Sequence, residues 1–133
     1  MASIAREIRV AAAADVVWDA VRDVGALHRR VVPGMVTDVT LEPGSDPVVR
    51  IVTFADGMVL REVIVSCDDA IRRLVWAIDG PPVEHHNGAM QVFDDGEACR
   101  VVWTADVLPH GLAEPFCGLM EAGLAIMAGH LGR

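Results

Sequence analysis

The side chains best suited to chemistry in this sequence are Arg50, Arg61, Glu84 and the pair His85-His86. A guanidinium can polarise a ketone oxygen, and a histidine or carboxylate can move protons. Together they would suit a carbonyl substrate, or a ligand with an acidic end. His86 by itself equally fits a hydrogen-bonded core histidine, and His28 and His110 fall near element ends and read as solvated. A metal is not expected. Neighbouring strand residues point to opposite faces, so His85 and His86 cannot share an ion by extended geometry, and no carboxylate or thiol lies at ligand spacing. There is no serine or cysteine nucleophile motif and no phosphate-cradling glycine loop, so no cofactor is implied. Cys67, Cys99 and Cys117 are odd in number and widely spaced, and they read as small core residues in a reducing cytoplasm.

Composition narrows the classes of partner. The chain has 133 residues, enough for one domain with a core, and 53% of them are hydrophobic. All 11 basic residues are arginine, net charge is −8, and no arginine-dense stripe appears. A nucleic-acid backbone and an anionic membrane are therefore not expected as partners. The apolar runs are too short to span a bilayer, and Met1 to Val10 alternates like a strand and lacks the apolar core of a signal peptide. A monomer or a homodimer is expected.

The elements that must position the reactive groups can be read in order. Ile4, Ile8 and Val10 alternate with polar residues as a strand, with Arg6 on the apolar side, where a place near a strand end would let its head reach water. Ala14, Val17, Trp18, Val21 and Val24 repeat at helical spacing. Asp23 is placed to cap a second short helix from Gly25 to about Arg30, ended by Pro33-Gly34. Strands follow at Met35–Leu41, Val48–Ala55, Met58–Cys67, Arg72–Asp79, Glu84–Asp94 and Glu97–Leu108. From Gly111 to Leu131, residues Leu112, Phe116, Leu119, Met120, Leu124, Met127 and Leu131 form one apolar stripe of a long helix. Gly118 and Gly123 either leave room for a ligand or pack closely on a strand. Strands segregated from helices give an α+β class.

Hairpin register then decides which side chains share a face. A two-residue Asp95-Gly96 turn sets Cys99, Val101, Trp103, Ala105 and Val107 opposite Val92, Met90, Gly88, His86 and Glu84, all facing in. A two-residue Asp56-Gly57 turn sets Val59, Arg61, Val63 and Val65 opposite Phe54, Val52, Arg50 and Val48, with Glu62 facing out; a single bulge would reverse this.

Several segments resemble the polyketide cyclase/dehydrase group of the START-like (Bet v 1-like, SRPBCC) superfamily. They are Asp15-Val16-Val17-Trp18, Asp23-Val24-Gly25-Ala26-Leu27-His28, Pro33-Gly34, Arg61-Glu62, Val101-Val102-Trp103 and Glu121-Ala122-Gly123-Leu124, and their order covers essentially the whole chain. The resemblance implies a helix-grip fold: a curved seven-stranded antiparallel sheet around the C-terminal helix, two short helices after the first strand, and a deep cavity between sheet and helix. It implies a hydrophobic or aromatic small-molecule ligand, polyketide- or lipid-like, with a cyclase or dehydratase as the alternative. The site candidates are then Arg50, Phe54, Arg61, Trp76, Glu84, His86, Trp103, Phe116 and Met120. The sequence departs from the group at Arg29-Arg30-Val31-Val32, where an aromatic is common before the proline, and at Trp76, where a tyrosine is common. The cavity mouth should differ accordingly.

Overall fold

Alternation of apolar residues builds β1 (Ala2–Val10), whose inward Ile4 and Val10 are buried and whose outward Ser3 and Ala5 are exposed. The computed structural model describes residues 1–132. After β1 come α1 (Ala14–Val21), a 3-10 turn (Val24–Ala26) and α2 (Leu27–Arg30). The strands β2 (Val36–Leu41), β3 (Val49–Phe54), β4 (Val59–Asp68), β5 (Arg73–Asp79), β6 (His85–Asp95) and β7 (Ala98–Leu108) follow. A 3-10 turn (His110–Leu112) leads into α3 (Ala113–Leu131). The seven strands form one antiparallel sheet in the order β1-β7-β6-β5-β4-β3-β2. Register shifts in β2 between Val36 and Asp38, and in β4 between Ile64 and Ser66, help the sheet bend, since a bulged strand kinks and twists more strongly.

The sheet bends around α3. Met120, Gly123, Leu124 and Met127 are buried on that helix, whereas Glu114, Gly118, Glu121, Ala122 and Ala125 are exposed. By length and composition the segment His110–Leu131 could cross a membrane, but here Met120, Leu124 and Met127 of its apolar stripe are buried in the core and Leu112, Phe116, Leu119 and Leu131 are half-buried against it. The packing of α1 through Val17, Trp18 and Val21 extends the same core. Trp18 Nε1 donates to Asp69 Oδ1 at 2.9 Å, which ties α1 to the β4–β5 turn.

Two local expectations are corrected. Asp23 makes no side-chain cap; its carboxylate and that of Asp19 instead accept from Arg30 at 3.0 and 2.7 Å, which clamps α2 onto α1. Arg6 lies not at a strand end but in the middle of β1, opposite Trp103, and Nε reaches Glu121 Oε1 on α3 at 3.0 Å.

Candidate functional site

The pocket between sheet and α3 is built from inward-facing residues of six strands, Val36 of β2 among them, and one face of the helix. Arg50 and Phe54 come from β3, Leu60 and Glu62 from β4, Leu74, Trp76 and Ile78 from β5, His86 and Met90 from β6, and Trp103 from β7. The helix contributes Phe116, Leu119, Gly123 and Met127, spaced so that they share one side. Leu27, Val31, Val32 and Met35 complete the lining, so the Val31-Val32 departure from the family pattern is part of the wall. The free volume is about 60 Å³, space for roughly four waters at ~15 Å³ of probe volume each.

Its polar content is small and specific. Arg50 Nε donates to Glu62 Oε1 at 2.8 Å, with side-chain exposures of 3% and 7%. Arg50 Nη1 also reaches the Val24 carbonyl at 3.3 Å, and its guanidinium carbon lies 5.7 Å from the Trp76 ring centroid, within cation–π range. Both charges are paired and hydrogen-bonded, as burial demands.

His86 is 4% exposed. Its Nδ1 accepts the Ile78 backbone N–H at 3.1 Å, so in the neutral ring Nε2 carries the proton. Its ring centroid is 5.5 Å from that of Phe116 and 6.5 Å from that of Trp76, which in turn is 5.9 Å from Trp103. Burial, reinforced by the neighbouring His85, pushes the His86 pKa down to about 4, and Asp106 opposes this only in part. The unfolded chain takes up the proton near pH 6.5 and the folded chain only near 4. Stability should therefore be full above about pH 6.5 and fall as pH drops through this window, by up to about 3 kcal/mol. Urea denaturation at a series of pH values should show a shallower fall in His86→Phe. An NMR titration in which His86 inflects near 6.5 would contradict the assignment.

Two glycines make room for these rings. A Cβ on Gly88 would lie 2.9 Å from His86 Cε1 and 3.2 Å from Trp76 Cε2, and one on Gly123 would lie 3.0 Å from Trp103 Cζ3. Gly123 thus allows close packing of helix on sheet and also lines the pocket, whereas Gly118 faces solvent. Among the described residues Trp103 Nε1 is buried without a hydrogen-bond partner, and so is Nδ1 of half-buried His28, which does not sit in solvent as expected.

A family model described as polyketide cyclase / dehydrase and lipid transport matches residues 1–132. The chain belongs to this family. Among solved structures, a Thermobifida fusca protein is 32% identical, with a TM-score of 0.78 over 98% of this chain and 91% of that one. The protein XoxI from Bacillus cereus is 20% identical, with a TM-score of 0.86 over 98% and 96%. Norcoclaurine synthase from Thalictrum flavum, solved with dopamine and hydroxybenzaldehyde, is 18% identical, with a TM-score of 0.69 over 96% and 84%. At such identities the last two show the fold, which is the helix-grip arrangement of Bet v 1-like proteins. No curated protein matches by sequence.

Within this family member the structure brings together Arg50, Phe54, Trp76, His86, Trp103 and Phe116 at the pocket. It does not place Arg61, Glu84 or Met120 there. Arg61 faces outward, paired with Glu42 at 3.0 Å and with Asp79. The reason is the β3–β4 turn. Phe54 N–H bonds to Met58, leaving a three-residue loop, Ala55-Asp56-Gly57, with Gly57 at φ +92°. Arg50 therefore pairs with Glu62 rather than Val63, and the parity of β4 is reversed. Glu62 was the inward group, and inward-facing Leu60 and Ile64 on its strand were the signal for it. Glu84 is exposed because it precedes β6, in the loop after β5. The last hairpin turns at Gly96-Glu97, which sets Trp103 opposite Met90 and His86 opposite Val107 without changing their faces. Met120 is fully buried, but against Ala2, Ile4, Ala105 and Val107. It lies one step around the helix from Leu119, which lines the pocket in its place. An acidic ligand end was expected because an inward arginine would otherwise be unpaired; both arginines are paired within the chain.

Proposed function

We propose that the chain acts as one START-like domain that binds a hydrophobic or aromatic small molecule between the sheet and α3. The observation that carries this reading is an almost wholly apolar wall enclosing, among the described residues, a single buried ion pair. Such a wall with a few fixed polar groups is the usual make-up of a small-molecule site. An aromatic ligand needs several times the present 60 Å³. Met35, Met90 and Met127 supply the adaptability, because unbranched thioether chains repack easily. The family description, which includes lipid transport, and the aromatic molecules bound to norcoclaurine synthase fit the same ligand class. The free thiols of Cys67, Cys99 and Cys117 fit the cytoplasm.

A cyclase or dehydratase is the second reading, favoured by Glu62, Arg50 and His86 opening on one pocket. Turnover of a poly-β-ketone probe that disappears in His86→Phe while binding persists would select it.

The binding reading is tested by titrating the protein with naphthalene-sized probes and following Trp76 and Trp103 fluorescence. Gly123→Leu should lower affinity tenfold or more by filling the pocket, and Gly118→Leu, on the solvent side of α3, should leave it unchanged. Absence of binding by wild type, or equal binding by both variants, would overturn the reading.

A further inference from the structure

Arginine inside an apolar pocket ordinarily marks a site for an anion. Here Arg50 spends its Nε on Glu62 and its Nη1 on the Val24 carbonyl. Among the lining residues the other titratable side chain is His86, whose Nδ1 is taken by the Ile78 N–H. With a neutral imidazole the wall carries one positive and one negative charge 2.8 Å apart, which sum to zero.

The pair still has unused valences. Among the described residues, Arg50 Nη2 has no protein acceptor and Glu62 Oε2 no protein donor. Glu62 Oε2 can only accept from an incoming group, and Arg50 Nη2 can only donate to it. A hydroxyl does both at once, giving its proton to the carboxylate and taking one from the guanidinium. A carboxylate can answer only the arginine and would set a second anion beside Glu62 in a desolvated site. An ammonium meets the mirror-image conflict with Arg50. A further donor, His86 Nε2–H, favours a carbonyl or hydroxyl oxygen elsewhere on the molecule.

We propose that the pocket selects an uncharged aromatic molecule bearing a hydroxyl, recognised by the Arg50–Glu62 pair, and rejects the matching carboxylate. This rests on the ligand-binding reading and adds to it the polarity of the ligand.

The test uses 2-naphthol, 2-naphthoate and 2-methylnaphthalene, which share one ring system, at pH 7.5. Each is titrated into the full chain with amide and indole N–H shifts as readout. The expected order is naphthol tightest, methylnaphthalene about tenfold weaker, and naphthoate weaker again. Glu62→Gln removes one charge and should reverse the order, naphthoate becoming at least tenfold tighter than naphthol. Arg50→Met combined with Glu62→Gln removes both charges, so it tests the idea even where the single variant folds poorly. In it, naphthol and methylnaphthalene should bind within threefold of each other. Wild type that binds methylnaphthalene but prefers naphthoate overturns the inference and leaves the binding reading standing. So does a double variant that keeps the full naphthol preference. Failure of all three probes to bind overturns both.

Discussion

Glu62→Ala is expected to destabilise the protein by about 3–5 kcal/mol, the usual result of stranding one member of a buried ion pair. The loss is not the worth of the salt bridge. It is the cost of leaving Arg50, 3% exposed and always charged, in an apolar wall with only the Val24 carbonyl and the Trp76 face to answer it. Replacing both partners, as Arg50→Met with Glu62→Leu, should return most of the loss, because apolar side chains of similar volume need no countercharge. Against a total stability of about 5–15 kcal/mol for an ordinary domain, the single change should be plain in urea denaturation. A midpoint for Glu62→Ala as close to wild type as that of Glu121→Ala, on the exposed side of α3, would show that the pair is not buried as described. A double variant no more stable than the single one would show that its partners do more than neutralise each other.

Leu124→Ala is expected to cost about 2–5 kcal/mol, the range for deleting a large core side chain that leaves a cavity. Leu124 is 2% exposed and joins the cluster that includes Val10, Val92, Cys99 and Val101, so the sheet cannot close over the gap without bending. Phe116→Ala should cost less, because that ring is only half-buried at the pocket. Glu121→Ala should cost little, since its bond to Arg6 lies in solvent, where screening and side-chain entropy cancel most of the attraction. Chemical denaturation of the three variants checks the ranking. Equal, small effects would mean that α3 is not held in the grip of the sheet.

The elements themselves were legible in the residues. The period-2 alternation of Ile4, Ile8 and Val10 and the helical spacing from Phe116 to Met127 depend only on which side of each element is apolar. That pattern survives any detail of the turns. The order of strands and helices, with the motifs from Asp15 to Leu124, pointed to the helix-grip fold and the family that the matching residues 1–132 show. The inward faces of β5, β6 and β7 were legible too. The last hairpin slipped by two residues, and a shift of two restores the same face, so Trp76, His86 and Trp103 kept their orientation.

The charge of the pocket was decided only by the tertiary structure. On β4 both faces carry apolar residues, so pattern could not choose between Arg61 and Glu62, and a one-residue difference in the Ala55-Asp56-Gly57 loop exchanged them. Asp-Gly is compatible with a two-residue turn and with a three-residue loop ending in a left-handed glycine, and the local sequence does not separate the two. What separates them is packing. Leu60 and Ile64 reach the core only in the second register, and in that register Glu62 comes opposite Arg50, where the buried carboxylate finds its countercharge. An ion pair between strands is a property of register, and register is set by the whole sheet closing on its helix rather than by any short stretch of the chain.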